Sequence, residues 1–247
     1  MPTDKRPAPA LEAPLDELLD WAGSAYGVCF EPLRIDDVHL EVLQISDMEA
    51  HIEHLAAAAG GQGIELPLWS RVWPASLLTS HFLRRLPPLP GRPLLEIGAG
   101  VGVCGLFAAA FGHEALITDV NLDALRFARI NILHNGLGDR ATVARANFAG
   151  DLLPRRFTRI LGSEVLYLEP LHAPLLAFLK THLAAEPEAE AILSCNYLRD
   201  PKAFLDLASR DFAVATATIG CKSTDAASGE NPQRHLINIH RLKVRHA

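Results

Sequence analysis

A chain of 247 residues with a hydrophobic share of 49% is long and apolar enough for one full core, as a single large domain or a domain with an extension. A net charge of −6 excludes the basic face that general binding to nucleic-acid phosphates requires. No run reaches the roughly 18 apolar residues that span a bilayer, so neither nucleic acid nor membrane is expected as a partner. Cys29, Cys104, Cys195 and Cys221 are scattered with no C-x-x-C pair, the pattern of reduced thiols in a cytoplasmic protein.

The opening MPTDKRPAPALEAP has no apolar core, so it reads as a short proline-rich tail, not a signal peptide. Residues 14–22 fit a short helix with Pro14 at its start and Leu15, Leu18 and Leu19 on one face. Strand-like runs follow at Val28–Ile35 and Val38–Ile45, with Asp36-Asp37 as a hairpin turn. Residues 47–59 form a helix capped by Asp47 or Ser46, and the glycine-rich stretch 60–63 is a flexible break. His51 and His54 lie three apart on that helix. A metal site needs a third ligand, which the sequence does not offer, so two solvated histidines is the simpler reading.

In LPLWSRVW, residues 66–73, two tryptophans flank an arginine; core packing is the plain reading. Pro74 then opens a helix to about Leu86, and a rigid proline-rich linker leads on. From Arg92 strands and helices alternate. Strands are expected at Leu94–Ile97, Ala115–Thr118, Ala141–Ala146, Phe157–Leu161, Ala191–Cys195 and Phe212–Thr218. Helices are expected at Val103–Phe111, from Leu122 to the Asn135-Gly136 stop, at Leu171–Leu183 and at Pro201–Ser209. The alternating stretch 234–244 is a half-exposed terminal strand after a long loop at 219–233. Repeated βα units imply an α/β fold with a doubly wound, mostly parallel sheet.

Residues 94–105, LLEIGAGVGVCG, carry a strand into a glycine-rich turn and a helix, a device that brings bare backbone and free N–H groups to a nucleotide. Gly100, Gly102 and Gly105 satisfy G-x-G-x-x-G. Glu96, Gly98, Gly100 and Gly102 satisfy E-x-G-x-G-x-G, which resembles motif I of the S-adenosylmethionine (SAM) methyltransferases. The second parse fits the strand end better, because Gly98 directly follows Ile97.

Ligands in such sheets sit at the carboxyl ends of the strands. Asp119, 19 residues after Gly100, has the spacing of a carboxylate that accepts both ribose hydroxyls; the alternative is a capping role at the following helix. Asn147-Phe148 suits an adenine, or a turn with a core phenylalanine. Glu164 and Tyr167, in GSEVLY, stand just beyond a buried strand, where a carboxylate is costly unless paired or open to a cleft; a solvated loop is the alternative.

The set V-W-P-A-S, L-E-I-G-A-G-V-G, the Asp after the second strand, N-I-L-H-N-G and Glu-x-x-Tyr resembles the seven-β-strand protein-lysine methyltransferases that carry an Asp/Glu-x-x-Tyr motif, over roughly residues 38–220. The acid of that motif is Glu where Asp is commoner, and the aromatic after the third strand is Phe where Trp is frequent. The resemblance implies a Rossmann-like class I methyltransferase with seven strands, the last antiparallel, at 66–247, preceded by an N-terminal extension at 1–65. It implies SAM as cofactor, bordered by Trp73 and lined by Glu96, Gly98 and Gly100. Asp119 then holds the ribose, Asn147 and Phe148 the adenine, and Ser163 lies near the methyl group. Glu164 and Tyr167 shape the acceptor channel.

The implied activity is methyl transfer to a nitrogen acceptor, a protein lysine. A small-molecule N-methyltransferase and a non-catalytic SAM-binding assembly module are alternatives. A nicotinamide oxidoreductase lacks support, since no Tyr-x-x-x-Lys pair or second domain is found.

Overall fold

The computed structural model describes residues 7–61, 63–222 and 234–245. The start of the proline-rich tail, Gln62 of the glycine break and most of the 219–233 loop lie outside them. Helix α1 spans Leu15–Tyr26, and β1 (Val28–Ile35) pairs antiparallel with β2 (Val38–Ile45). The tight hairpin sets Asp36 at φ 52°, a left-handed conformation that Asp tolerates better than most residues. Helix α2 (Met48–Ala59) is capped by Asp47, whose side chain accepts from the Ala50 N–H. His51 on it lies beside Tyr26, ring centroids 5.4 Å apart.

Seven strands form one sheet: β3 (Leu94–Glu96), β4 (Ala115–Asp119), β5 (Ala141–Arg145), β6 (Arg159–Ser163), β7 (Glu190–Asn196), β8 (Phe212–Lys222) and β9 (Arg234–Val244). Their order is β5-β4-β3-β6-β7-β9-β8. The pairs from β5 through β7 are parallel, and β9 slots between β7 and β8 antiparallel to both. The order turns back at β3 and β6, so the crevice where such sheets bind ligands opens at their carboxyl ends.

Alternation along the strands feeds two cores. Leu94, Leu161 and Ile192 join one, with α3 (Pro74–Leu83), α4 (Val103–Ala110) and α5 (Leu122–His134). Leu95, Ile160 and Leu193 join the other, with α6 (His172–His182) and α7 (Lys202–Ala208). Leu18, Trp21, Val42 and Leu43, from α1 and the hairpin, are buried in the first core. One buried amide ties the hairpin to the glycine turn: Asn131 of α5 accepts from the Leu43 N–H at 2.7 Å and donates to the Val101 carbonyl at 3.1 Å.

Element ends shift by a few residues from the sequence reading. Helix α3 ends at Leu83, short of Leu86, and β8 continues past Thr218 to Lys222, consuming the start of the expected loop. Strand β6 starts at Arg159 because Phe157 instead forms a bridge to Leu183.

Candidate active site

Strand β3 ends in a turn where Gly98, Gly100 and Gly102 take φ of 58°, 54° and 83°. Left-handed backbone at alternate positions favours glycine, which is why E-x-G-x-G-x-G is the parse that governs the turn. A Cβ on Gly100 would stand 2.5 Å from the Trp69 carbonyl oxygen, and one on Gly98 2.9 Å from Val165 Cγ1 and 4.0 Å from the Phe148 ring. Gly105 has a different role, that of the third glycine in the rival parse. A Cβ there would meet Ile117 at 2.4 Å, so α4 packs directly on β4.

Two buried acids brace this turn. Asp119, 8% exposed, accepts from the Gly100 N–H through Oδ2 at 2.9 Å and from the Asn121 N–H through Oδ1 at 2.9 Å. The capping of α5 falls to Asn121, which accepts from the Asp123 and Ala124 amides, leaving Asp119 beside the turn. Glu96, 2% exposed, accepts from the Gly105 N–H at 2.7 Å. Burial pushes its carboxyl up to about 7, against the opposing pull of the Gly105 amide. Glu96 therefore holds the first turn of α4 from beneath.

The remaining expected residues gather at the same edge with unequal contacts. Asn147 is exposed and folds its own turn, accepting from the Ala149 N–H at 2.8 Å, while Phe148 packs beside Gly98. Ser163 ends β6, at the end of a hydroxyl chain: Thr79 Oγ1 donates to Ser194 Oγ at 2.6 Å, and Ser194 Oγ to Ser163 Oγ at 3.3 Å. The Trp73 indole donates to the Leu68 carbonyl at 3.1 Å with the Arg71 guanidinium over its ring. The tryptophan of this segment that meets the turn is Trp69.

Glu164 adopts φ 58°, the left-handed region for a residue with a Cβ. Its N–H donates to the Ser194 carbonyl at 2.8 Å, its Oε1 accepts from the Asn196 N–H at 2.8 Å, and its Oε2 accepts from Arg199 Nε at 3.1 Å. The register Ser163↔Ser194 between β6 and β7 makes this meeting possible. Tyr167 is 53% exposed, and the Arg199 guanidinium lies 5.8 Å from its ring centroid. Sequence reading missed Trp69, Asn131 and Arg199. The first two lie in stretches it singled out, LPLWSRVW and N-I-L-H-N-G; Arg199 has no local signal and comes to Glu164 only through the β6–β7 pairing.

Large apolar side chains left exposed among the described residues lie just after β4 (Val120, and Leu122 at the start of α5), on the loops after β5 (Leu152), β6 (Tyr167, Leu168) and β7 (Tyr197, Leu198), or just before Trp69 (Leu66, Leu68). They rim the carboxyl edge. Among the described residues, no helix is long and apolar enough to cross a membrane.

This strand order, with a bare glycine turn ending the central strand and an acid ending its neighbour, defines a class I SAM-dependent methyltransferase. A family model described as lysine methyltransferase matches residues 63–210. EEF1A lysine methyltransferase 3 of Mus musculus is 31% identical over 185 residues, which is 69% of this chain and 79% of that protein. Protein N-lysine methyltransferase METTL21A of Mus musculus is 33% identical over 153 residues, covering 58% of this chain and 68% of that protein. In fold, a precorrin-6y C5,15-methyltransferase from Geobacter metallireducens matches with a TM-score of 0.55 at 16% identity, over 68% of this chain and 86% of that one. The chain belongs to the lysine methyltransferase family, and its reaction is SAM-dependent methyl transfer to lysine. The site is chemically compatible with that cofactor: the Asp119 carboxylate ends β4 beside the left-handed glycine backbone of residues 98–102, while the Cβ positions of Gly98 and Gly100 face Val165 and Trp69.

Proposed function

We propose that the acceptor is a lysine of a protein partner, and that the residues at the carboxyl edge divide the work as follows. Gly98 and Gly100 give backbone to the methionine and ribose side, with Glu96 bracing the helix start behind them. Asp119 receives the ribose hydroxyls, Asn147 and Phe148 the adenine, and Trp73 borders the site. Ser163 stands near the methyl group. Glu164 and Tyr167 face the acceptor. SAM supplies an activated methyl group when bound. The chain's own part is to align the amine with that methyl carbon and to exclude water. A lysine ammonium has no free lone pair; desolvation in a narrow channel lowers its pKa, while Glu164 captures and orients it and is placed to accept a proton.

The observation that carries this reading is Glu164 itself. A left-handed conformation at a non-glycine residue, held by the Ser194 carbonyl and the Asn196 amide, is strain kept at one point on the carboxyl edge. The apolar rim and the relatives named above, protein-lysine methyltransferases both, support a protein as acceptor. Residues 1–65 serve in this reading as an extension that braces the domain at 66–247, since α1 and the hairpin share its first core. The scattered, unpaired thiols support a cytoplasmic location.

Incubation of the chain with labelled SAM and a size-fractionated cell lysate, followed by mass spectrometry, tests the acceptor class. Label on a lysine of a discrete protein is expected. Label confined to the low-molecular-weight fraction would overturn the protein acceptor.

A further inference from the structure

We propose that Arg199 is a resident occupant of the acceptor's cation site, and that an incoming lysine must displace it. This rests on the reading of Glu164 and Tyr167 as the acceptor-facing pair. A carboxylate beside an aromatic face is the chemistry that holds an ammonium group. Here the same two groups already hold a cation of the chain itself: Arg199 Nε lies 3.1 Å from Glu164 Oε2, and its guanidinium carbon lies 5.8 Å from the Tyr167 ring centroid. The pair is internally neutralised, so the free enzyme offers little net charge to draw in a stray amine.

Displacement is built in. The Arg199 side chain is half-exposed, whereas that of Glu164 is only 18% exposed, so the guanidinium can swing into water while the carboxylate stays. Glu164 Oε1 keeps its bond to the Asn196 amide after Arg199 leaves, and the carboxylate remains aimed. Exchanging one cation for another in this way costs little, because half-exposed ion pairs are weak. It still sets a threshold that an amine must pass by making contacts beyond its charge.

Side-chain stereochemistry supplies a direct test. Counted from Cβ, lysine Nζ occupies the position of arginine Cζ, so R199K puts an amine where the guanidinium carbon now stands. In that variant the ammonium gives a proton to water, and the lone pair forms a bond to the sulfonium methyl. The C–S electron pair leaves with sulfur as S-adenosylhomocysteine, and a methylammonium remains. Full-length R199K incubated with SAM is expected to gain methyl mass at position 199, and R199K/E164Q is not. An unmodified position 199 in R199K would overturn the proposal.

A cofactor-free readout is n-butylammonium, titrated by NMR. R199A should bind it about two- to five-fold more tightly than the parent chain, the span that an exposed ion pair of this kind allows. Equal or weaker binding by R199A counts against the displaced cation. If R199A/E164Q binds n-butylammonium as well as R199A does, the assignment of Glu164 to the acceptor fails, independently of Arg199.

Discussion

Asp119 reaches across from the end of β4 to accept the Gly100 amide proton at 2.9 Å, while its second oxygen accepts from Asn121 at 2.9 Å. One buried carboxylate thus ties the glycine turn of β3 to the entry of α5 and stands next to the bare backbone. D119A removes both charge-assisted bonds and the ribose acceptor together. At about 1.5–3 kcal/mol for such a bond, SAM affinity measured by calorimetry should fall by at least about 100-fold. D119N should recover little, because an amide N–H₂ cannot accept from two backbone donors and one of them is left facing it. A D119A chain that binds SAM within about threefold of the parent would remove Asp119 from the cofactor site.

Glu164 should behave in the opposite way. Its contacts run to β7 and Arg199, and none of them touches the glycine turn. E164A is therefore expected to bind SAM within about threefold of the parent chain and to lose at least about 100-fold in labelled-methyl transfer. The backbone adds a second expectation. Glycine tolerates φ 58° and alanine does not, so E164G should be more stable than E164A by on the order of 1 kcal/mol in urea unfolding, with both inactive. Equal midpoints for the two variants would mean that the residue carries no strain.

What the sequence could disclose and what it could not follow from the range of each interaction. The βα alternation, the glycine turn and Asp119 are local patterns, written in contiguous residues whose periodicity or spacing carries the physics. The caps at Asp47 and Asn121 are likewise short-range and appear where expected. Three things depend on pairings that no local window contains. Asn131 acts because the hairpin lies over α5, 88 residues from Leu43. Arg199 acts because β6 and β7 are in register. The choice of Trp69 over Trp73 as the neighbour of Gly100 depends on how the segment before α3 lies against the glycine turn. Glu96 is legible as a residue of the motif, but its posture is not: its buried carboxylate accepts the Gly105 amide of α4, a contact that only the packing of α4 on β3 creates.

The Trp69–Gly100 contact yields a stability prediction. A methyl group at position 100 would stand 2.5 Å from a backbone carbonyl that has no flexible end to move, on a residue with φ 54°. G100A should cost roughly 2–4 kcal/mol in urea unfolding, from positive φ and overpacking together, and weaken SAM binding as the turn or the 66–73 segment yields. G136A, at φ 65° with open space around its Cβ position, pays only the conformational cost and should lose about 1 kcal/mol. Similar losses for the two would show that the Trp69 segment gives way freely.

Glu96 makes stability depend on pH in a direction unusual for a carboxylate. Its folded value of about 7 lies above the ordinary 4.5, because burial outweighs the Gly105 hydrogen bond. Between those values the folded chain binds a proton that the unfolded chain has released, so the contribution of Glu96 is full below pH 4.5 and is lost as pH rises through 7. Buried His113 acts in reverse over nearly the same window. Desolvation, with Arg159 adding to it, lowers it from 6.5 to about 4, so its contribution is present above 6.5 and is lost as pH falls toward 4. The parent chain should therefore show a muted slope between pH 4.5 and 7. E96Q keeps an acceptor for the Gly105 amide and removes one of the two opposing groups. Its stability relative to the parent should rise with pH across that window, by on the order of 2–3 kcal/mol between pH 4.5 and pH 8. Urea unfolding of both chains at those two pH values checks this. A difference between them that does not change with pH would mean that Glu96 is ionised in the fold as readily as in water.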